Sequence, residues 1–174
     1  LFNNHYWYGV LSTFRHETSE SLTLSGGLDF RTYQSEKYAE VFDLLGGDYF
    51  VDTRNNNAST NMRFVGDKIG YHNDAFVRWG GAFALLEYKG YLWNAFLNVS
   101  AVTQGYRSVD YFAPLQEDGQ FTTSGWKWIP GYTIKTGGNY NLSEYANTFV
   151  NLGHLNRTPV FRNVVDFDNN FVEN

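Results

Sequence analysis

The sequence predicts an all-β chain: an antiparallel up-and-down meander of about six strands, shaped like hairpins from the wall of a transmembrane β-barrel. Three observations predict it. Stretches of period-two alternation recur along the 174 residues. Very short turns alternate with long polar loops, giving three hairpins. Aromatic residues make up 19% of the chain against only 3 prolines, a balance that suits many strands with rings at an interface.

The strands are expected at roughly 5–16, 21–33, 71–86, 91–107, 131–141 and 146–157. The second is the clearest. Leu22, Leu24, Leu28 and Phe30 share one face and Thr23, Ser25, Asp29 and Arg31 the other, because successive strand side chains point to opposite sides. Within it, Ser25-Gly26-Gly27 marks a strand passing close to a neighbour. The third strand sets Ala75, Val77, Trp79, Phe83 and Leu85 against Asp74, Arg78 and the small residues Gly80, Ala82 and Ala84, with Phe76 breaking the pattern. The fourth sets Tyr91, Trp93, Ala95, Leu97, Val99 and Ala101 against Asn94, Asn98, Ser100 and Gln104, with exceptions at Leu92, Phe96 and Val102.

The connections Glu17-Thr18-Ser19-Glu20, Glu87-Tyr88-Lys89-Gly90 and Leu142-Ser143-Glu144-Tyr145 have hairpin length. Long loops at about 34–70 and 108–130 separate the hairpins, far beyond the usual hairpin loop of about 2 to 5 residues. In the first of them, Val41, Leu44 and Leu45 have helix-like spacing before Gly46-Gly47, which predicts a short helix there. Short turns at one end and long loops at the other are the habit of outer-membrane barrels. Tyr6, Trp7, Tyr8, Tyr91, Trp93, Tyr132, Tyr140 and Tyr145 near the strand ends suit the headgroup layer.

Composition narrows the function classes. A formal net charge of −5 with 13 scattered Lys and Arg residues leaves no basic footprint for nucleic acid. Without cysteine there is neither a disulfide framework nor a thiolate metal site. No apolar run approaches the roughly 18 residues of a membrane helix, and mean hydropathy is −0.42. A barrel tolerates both, since only alternate residues meet lipid over about 9 to 11 residues per strand. The start at Leu1, with no basic or apolar leader, and the polar end at Asn174 read as cuts in a longer protein.

The stretch Gly138-Asn139-Tyr140-Asn141-Leu142-Ser143-Glu144-Tyr145-Ala146-Asn147-Thr148-Phe149-Val150-Asn151-Leu152-Gly153, followed by Asn156-Arg157-Thr158-Pro159-Val160-Phe161-Arg162-Asn163-Val164, resembles the late barrel region of TonB-dependent outer-membrane receptors, most of all those of Bacteroidetes. Glu40 through Phe50 is similar to an outer loop of the same branch; in the first stretch, His154 stands where the pattern usually has an aromatic. The resemblance implies a 22-stranded barrel in the cell outer membrane, filled by an N-terminal plug and importing scarce nutrients with energy relayed by TonB. Its implied partners are the rest of the barrel, the plug, the TonB complex and outer-membrane lipid; a surface lipoprotein lid is left open. This chain contains no recognisable plug and no TonB box.

Reaction chemistry is not expected. His5, His16, His72 and His154 are widely spaced and form no metal-ligand motif, so no metal or other cofactor is expected. Asp166-Phe167-Asp168-Asn169-Asn170 starts like a calcium loop but has Phe171 where the glycine belongs, and reads as a solvated loop. No Gly-x-Ser-x-Gly is present, and Asp48 with Asp52, or Glu117 with Asp118, read as solvated loop charges without a scaffold for acid/base work. Trp126 and Trp128 are the candidate substrate-binding residues, because rings two apart share a face in an extended chain and suit stacking on a sugar. Asp29, Arg31, Asp74, Arg78, Asn94, Asn98, Gln104 and Lys135 are expected to line the lumen.

The leading expectation is therefore a non-catalytic segment of an outer-membrane import receptor. The alternative is a soluble, secreted β-sandwich or small barrel that binds carbohydrate through its loop aromatics.

Overall fold

The structure, a computed structural model, describes residues 1–166 and 169–172. Among the described residues nine strands follow one another: β1 (Phe2–Glu17), β2 (Leu22–Glu40), β3 (Phe50–Val51), β4 (Met62–Arg63), β5 (Lys68–Lys89), β6 (Trp93–Asp110), β7 (Thr122–Thr123), β8 (Lys127–Ser143) and β9 (Ala146–Asn156). The long ones lie side by side in the order β1-β2-β5-β6-β8-β9, each pair antiparallel. The short β7 extends the β6 edge, and β3 pairs with β4 as a small ribbon of its own. The all-β antiparallel meander is thus present as the sequence predicts. Both outer strands, β1 and β9, carry an unpaired edge among the described residues. Among the described residues, no second sheet covers either face of this one in the manner of a sandwich.

All three tight connections, 18–21, 90–92 and 144–145, fall at one end of the sheet, and the long ones, 41–67 and 111–126, at the other. The strands outrun their expected bounds chiefly at the loop end, where β2 continues to Glu40 and β5 begins at Lys68. Polar residues occupy both faces there, so period-two alternation fades while backbone pairing continues. Lys68 and Glu36 hold this extension together with an ion pair of 2.8 Å.

The expected helix around Val41 is absent. Tyr38 through Glu40 pair with β5, and the Val41 N–H donates to the Asp67 carbonyl. Val41 is buried while Leu45 is 92% exposed, so the two do not share a helix face. Instead Asp43 accepts from the Leu45 N–H at 2.7 Å, Leu45 takes a φ of 53°, and the Gly47 N–H closes a turn on the Leu44 carbonyl.

Rings lying over cross-strand glycines recur through the sheet. A Cβ on Gly26 would come within 2.9 Å of the Phe14 ring, one on Gly80 within 3.1 Å of Phe30, and one on Gly105 within 2.9 Å of Trp128. On the opposite face Phe83 covers Gly27 and Phe96 covers Gly137. The close passage expected at Gly26-Gly27 is therefore real. A small core sits at the loop end, where Val77 and Tyr106 meet Val164 and Val165 of the segment that follows β9.

Candidate functional site

Register decides which side chains meet. Phe30 pairs with Val10 and Gly80, Leu28 with Ser12 and Ala82, Leu86 with Leu97, and Val99 with Ile134. One face therefore carries Val10, Phe14, Leu24, Leu28, Phe30, Ala82, Ala84, Leu97, Val99, Ile134 and Leu152 in a band. The other carries Asp29, Arg31, Ser25, Asn94, Asn98, Ser100, Gln104, Thr133 and Lys135, interrupted by Leu11, Trp79, Phe83, Leu85, Phe96, Val102 and Leu155.

Two of the expected lumen residues change sides. Arg78 pairs with Thr32 and Gly105, and Asp74 with Glu36 and Val109, so both stand on the apolar face. The β5 alternation read in the sequence is right within the strand, but its larger set, from Ala75 to Leu85, faces the polar side. A period of two sorts one strand's residues into two sets. It does not say which set matches which set of the neighbour.

The polar face holds an aromatic cluster that the sequence did not assemble, and it includes Trp7, which the sequence grouped with the headgroup-layer rings. Trp7 meets Tyr33 at 5.3 Å and Trp79 at 5.1 Å, both edge-on. His5 Nδ1 lies 2.6 Å from the Tyr33 hydroxyl. Arg31 sits over the Trp79 ring at 5.1 Å while donating to Asp29 at 2.8 Å. Trp7 remains 56% exposed, so the cluster offers a ring platform beside a cation and a carboxylate. Such a surface stacks flat apolar faces and hydrogen-bonds polar rims. The residues come from three strands, so only their register could have revealed them.

Above it, the segment after β9 folds down over the polar face. The Tyr106 hydroxyl donates to the Pro159 carbonyl, Thr158 donates to Gln104 at 2.6 Å, and Lys127 donates to the Val172 carbonyl at 3.3 Å. Tyr106 is fully buried by this roof.

Trp126 and Trp128 stack at 5.7 Å with their planes 22° apart, so the shared face expected from their spacing exists. Trp128 belongs to β8 and not to a loop, and pairs with Gly105. Arg78 covers Trp126 at 4.7 Å. The pair thus stands on the apolar face, level with Arg78 and remote from the polar one.

At the loop end Glu36, His72 and Asp74 gather their ligand atoms within 4.8 Å. This carboxylate-imidazole-carboxylate set has the donors for a divalent cation. Lys68 takes that position instead, donating to Glu36 at 2.8 Å and to His72 Nε2 at 2.9 Å. The Lys68 hydrogen bond holds the Glu36 carboxyl down at about 2. Burial, and then the Lys68 charge, lower His72, whose Nε2 also lies 3.1 Å from Glu36 Oε1. Asp74 accepts from Gln34 at 2.9 Å and from the Tyr111 hydroxyl at 3.0 Å. Burial, followed by the Asp74 charge, pushes that phenol up to about 12. Linear spacing concealed this group because it spans β2 and β5.

The remaining sequence candidates separate cleanly. Asp52 is a correction: it is buried, 5% exposed, and ties the first long loop to β5 by accepting from the Gly70 N–H at 2.7 Å. Glu117 and Asp118 are exposed, and Asp118 caps the Gln120 N–H. Of the calcium-like stretch, Phe167 and Asp168 lie outside the described residues.

Comparison of the chain with family models, with curated proteins and with solved structures gives no match. Among the described residues, no helix is long and apolar enough to cross a membrane, a criterion that does not bear on β-barrels.

Proposed function

We propose that this chain is a wall segment of an outer-membrane, TonB-dependent import receptor, with no reaction chemistry of its own. One observation carries the reading: the apolar face is exposed and bounded above and below by rings. Tyr88, Trp93 and Tyr140 share that face at the turn end, where Tyr88 meets Trp93 at 4.2 Å. Tyr8, Trp126 and Trp128 with Arg78 share it higher up.

From Arg78 to Tyr88 the strand advances about ten residues, or about 33 Å at the usual rise. Tilted by about 40°, that is about 25 Å of height, the thickness of the apolar band of outer-membrane barrels. The strands then continue beyond the upper girdle into the loop-end extension, as they do where barrels project above the membrane. Unpaired edges at β1 and β9 accept the neighbouring strands of a closed wall, since open edges in lipid would each leave backbone groups unsatisfied.

In this reading the two long loops capture a nutrient and the polar face conducts it past the plug. Stacking on substrate falls to Trp7, Tyr33 and Trp79, which face the lumen. Trp126 and Trp128, the residues nominated from sequence, serve the upper girdle. The test is a set of spin labels in the intact protein, reconstituted in vesicles, on single cysteines at Leu28, Val99, Asp29 and Asn98. Labels at 28 and 99 are expected to collide with dissolved oxygen more than with a water-soluble nickel chelate, and labels at 29 and 98 the reverse. Equal accessibility on the two faces would overturn the reading.

A further inference from the structure

We infer that the upper girdle carries a site for a phosphate-bearing membrane lipid, its headgroup held by Arg78 and Arg107 and its acyl chain laid in the groove beneath. The inference rests on the wall reading and adds a ligand to the face that meets lipid.

Two guanidiniums stand on the apolar face within two residues of each other. Arg78 pairs with Gly105, and the adjacent pair on that face is Phe76 with Arg107. Each lies against a ring, Arg78 over Trp126 at 4.7 Å and Arg107 over Phe76 at 5.9 Å. Arg107 also donates through Nε to Thr123 at 3.1 Å. Neither takes part in an ion pair among the described residues. Arg31 and Lys68, by contrast, are paired, Arg31 with Asp29 and Lys68 with Glu36. Like charges on neighbouring strands repel unless an anion lies between them.

A groove of about 590 Å³ opens on the same face directly below. Val10, Phe30, Gly80 and Trp128 line it, and so does Arg78. Its volume falls within the range of pockets that hold a whole small ligand. The Phe30 ring lies over Gly80 and the Trp128 ring over Gly105, and with Tyr8 and Val10 they make an apolar channel beside the Arg78 guanidinium. A forked cation above a greasy channel, at the height of the headgroup layer, matches a lipid that offers phosphate at one end and hydrocarbon at the other. Arginine suits the upper half, because its planar fork takes phosphate oxygens two at a time and gives up water readily.

The experiment compares spin-labelled phosphatidic acid with spin-labelled phosphatidylcholine in vesicles holding the intact protein, reading the motionally restricted fraction of each. Phosphatidic acid is expected to be preferred at least about ten-fold, the effect of one or two charge-assisted hydrogen bonds. Arg78→Gln with Arg107→Gln is expected to abolish the preference, while the folded band on an unheated gel persists. Equal association of the two lipids, or a preference that survives the double variant, would overturn the inference. So would a preference that free inorganic phosphate removes, because that marks a small-anion site without a chain. Lipid exposure at position 28 with no headgroup preference defeats this inference alone, whereas water exposure there defeats the wall reading with it.

Discussion

The loop-end half and the turn-end half of the sheet share the same strands but are held together differently. Every buried side chain, from Ser35 and Asp74 through Val77, Tyr106 and Ser108 to Val164 and Val165, belongs to the loop end or the segments above it. Toward the turns the residues buried in the described chain are glycines such as Gly26 and Gly137, lying under rings. Leu28, Phe30, Leu97, Val99 and Ile134 are all exposed by a third or more. Exposed apolar patches of this extent mark an interaction surface. The loop end makes its own interior from side chains; the turn end leaves its apolar side chains exposed.

The largest effect is expected at Tyr106. Tyr106→Ala removes a fully buried ring and its hydrogen bond to Pro159, and is expected to cost about 3–5 kcal/mol of local stability. Hydrogen exchange should show the amides around Phe161 and Val164 opening while those around Leu28 hold. Simultaneous opening of both halves would erase the distinction. Next, Val99→Lys puts a charge in the middle of the apolar band and is expected to cost about 2–4 kcal/mol in vesicles. Asn98→Lys, one residue away on the polar face, should shift denaturant midpoints by within about 0.5 kcal/mol. Similar shifts for the two would contradict the assignment of the faces.

A smaller change follows from the stacked pair. Trp128→Ala is expected to lose about 0.5–1.5 kcal/mol beyond area burial and to remove the exciton couplet of two close indoles from the circular dichroism. A couplet that persists would place Trp126 against some other ring. The smallest effect is a pH response confined to the loop end. Glu36, lowered in the folded chain from an ordinary 4.5 to about 2, adds stability that is complete above 4.5 and lost as pH falls through 2. His72, lowered from 6.5, acts with the same sign, since the unfolded chain takes up its proton first as pH drops. Both groups are partly exposed, so the loss is about 1 kcal/mol or less. Exchange at loop-end amides measured from pH 7 to 3 should rise, corrected for intrinsic rates, while the turn end stays flat; Glu36→Gln should remove most of that rise.

Much of the fold was legible because local alternation and turn chemistry are carried by neighbours in the chain. The strand order, the side of the tight turns and the close passage at Gly26-Gly27 all followed from them. The extension of β2 past Tyr33 was not, since a stretch with polar side chains on both faces lacks the apolar-polar contrast that announces a strand. The helix expected at Val41 failed because three apolar residues at helical spacing do not make a helix when only Val41 among them is buried. Of the candidate site, the Trp126 and Trp128 stack was readable from a spacing of two, whereas Trp7, Tyr33 and Trp79 were not, because each comes from a different strand.

The amino-acid sequence alone settled that this chain forms antiparallel strands with two unlike faces, since the period of two is a property of each strand by itself. Which face receives a given residue belonged to the tertiary structure. Arg78 reads as a partner of Asp29 until Thr32 and Gly105 are laid beside it, when it moves to the face of Leu28 and Phe30. A one-residue change in register exchanges every side chain between the faces, and register is set by hydrogen bonds between residues far apart in the chain.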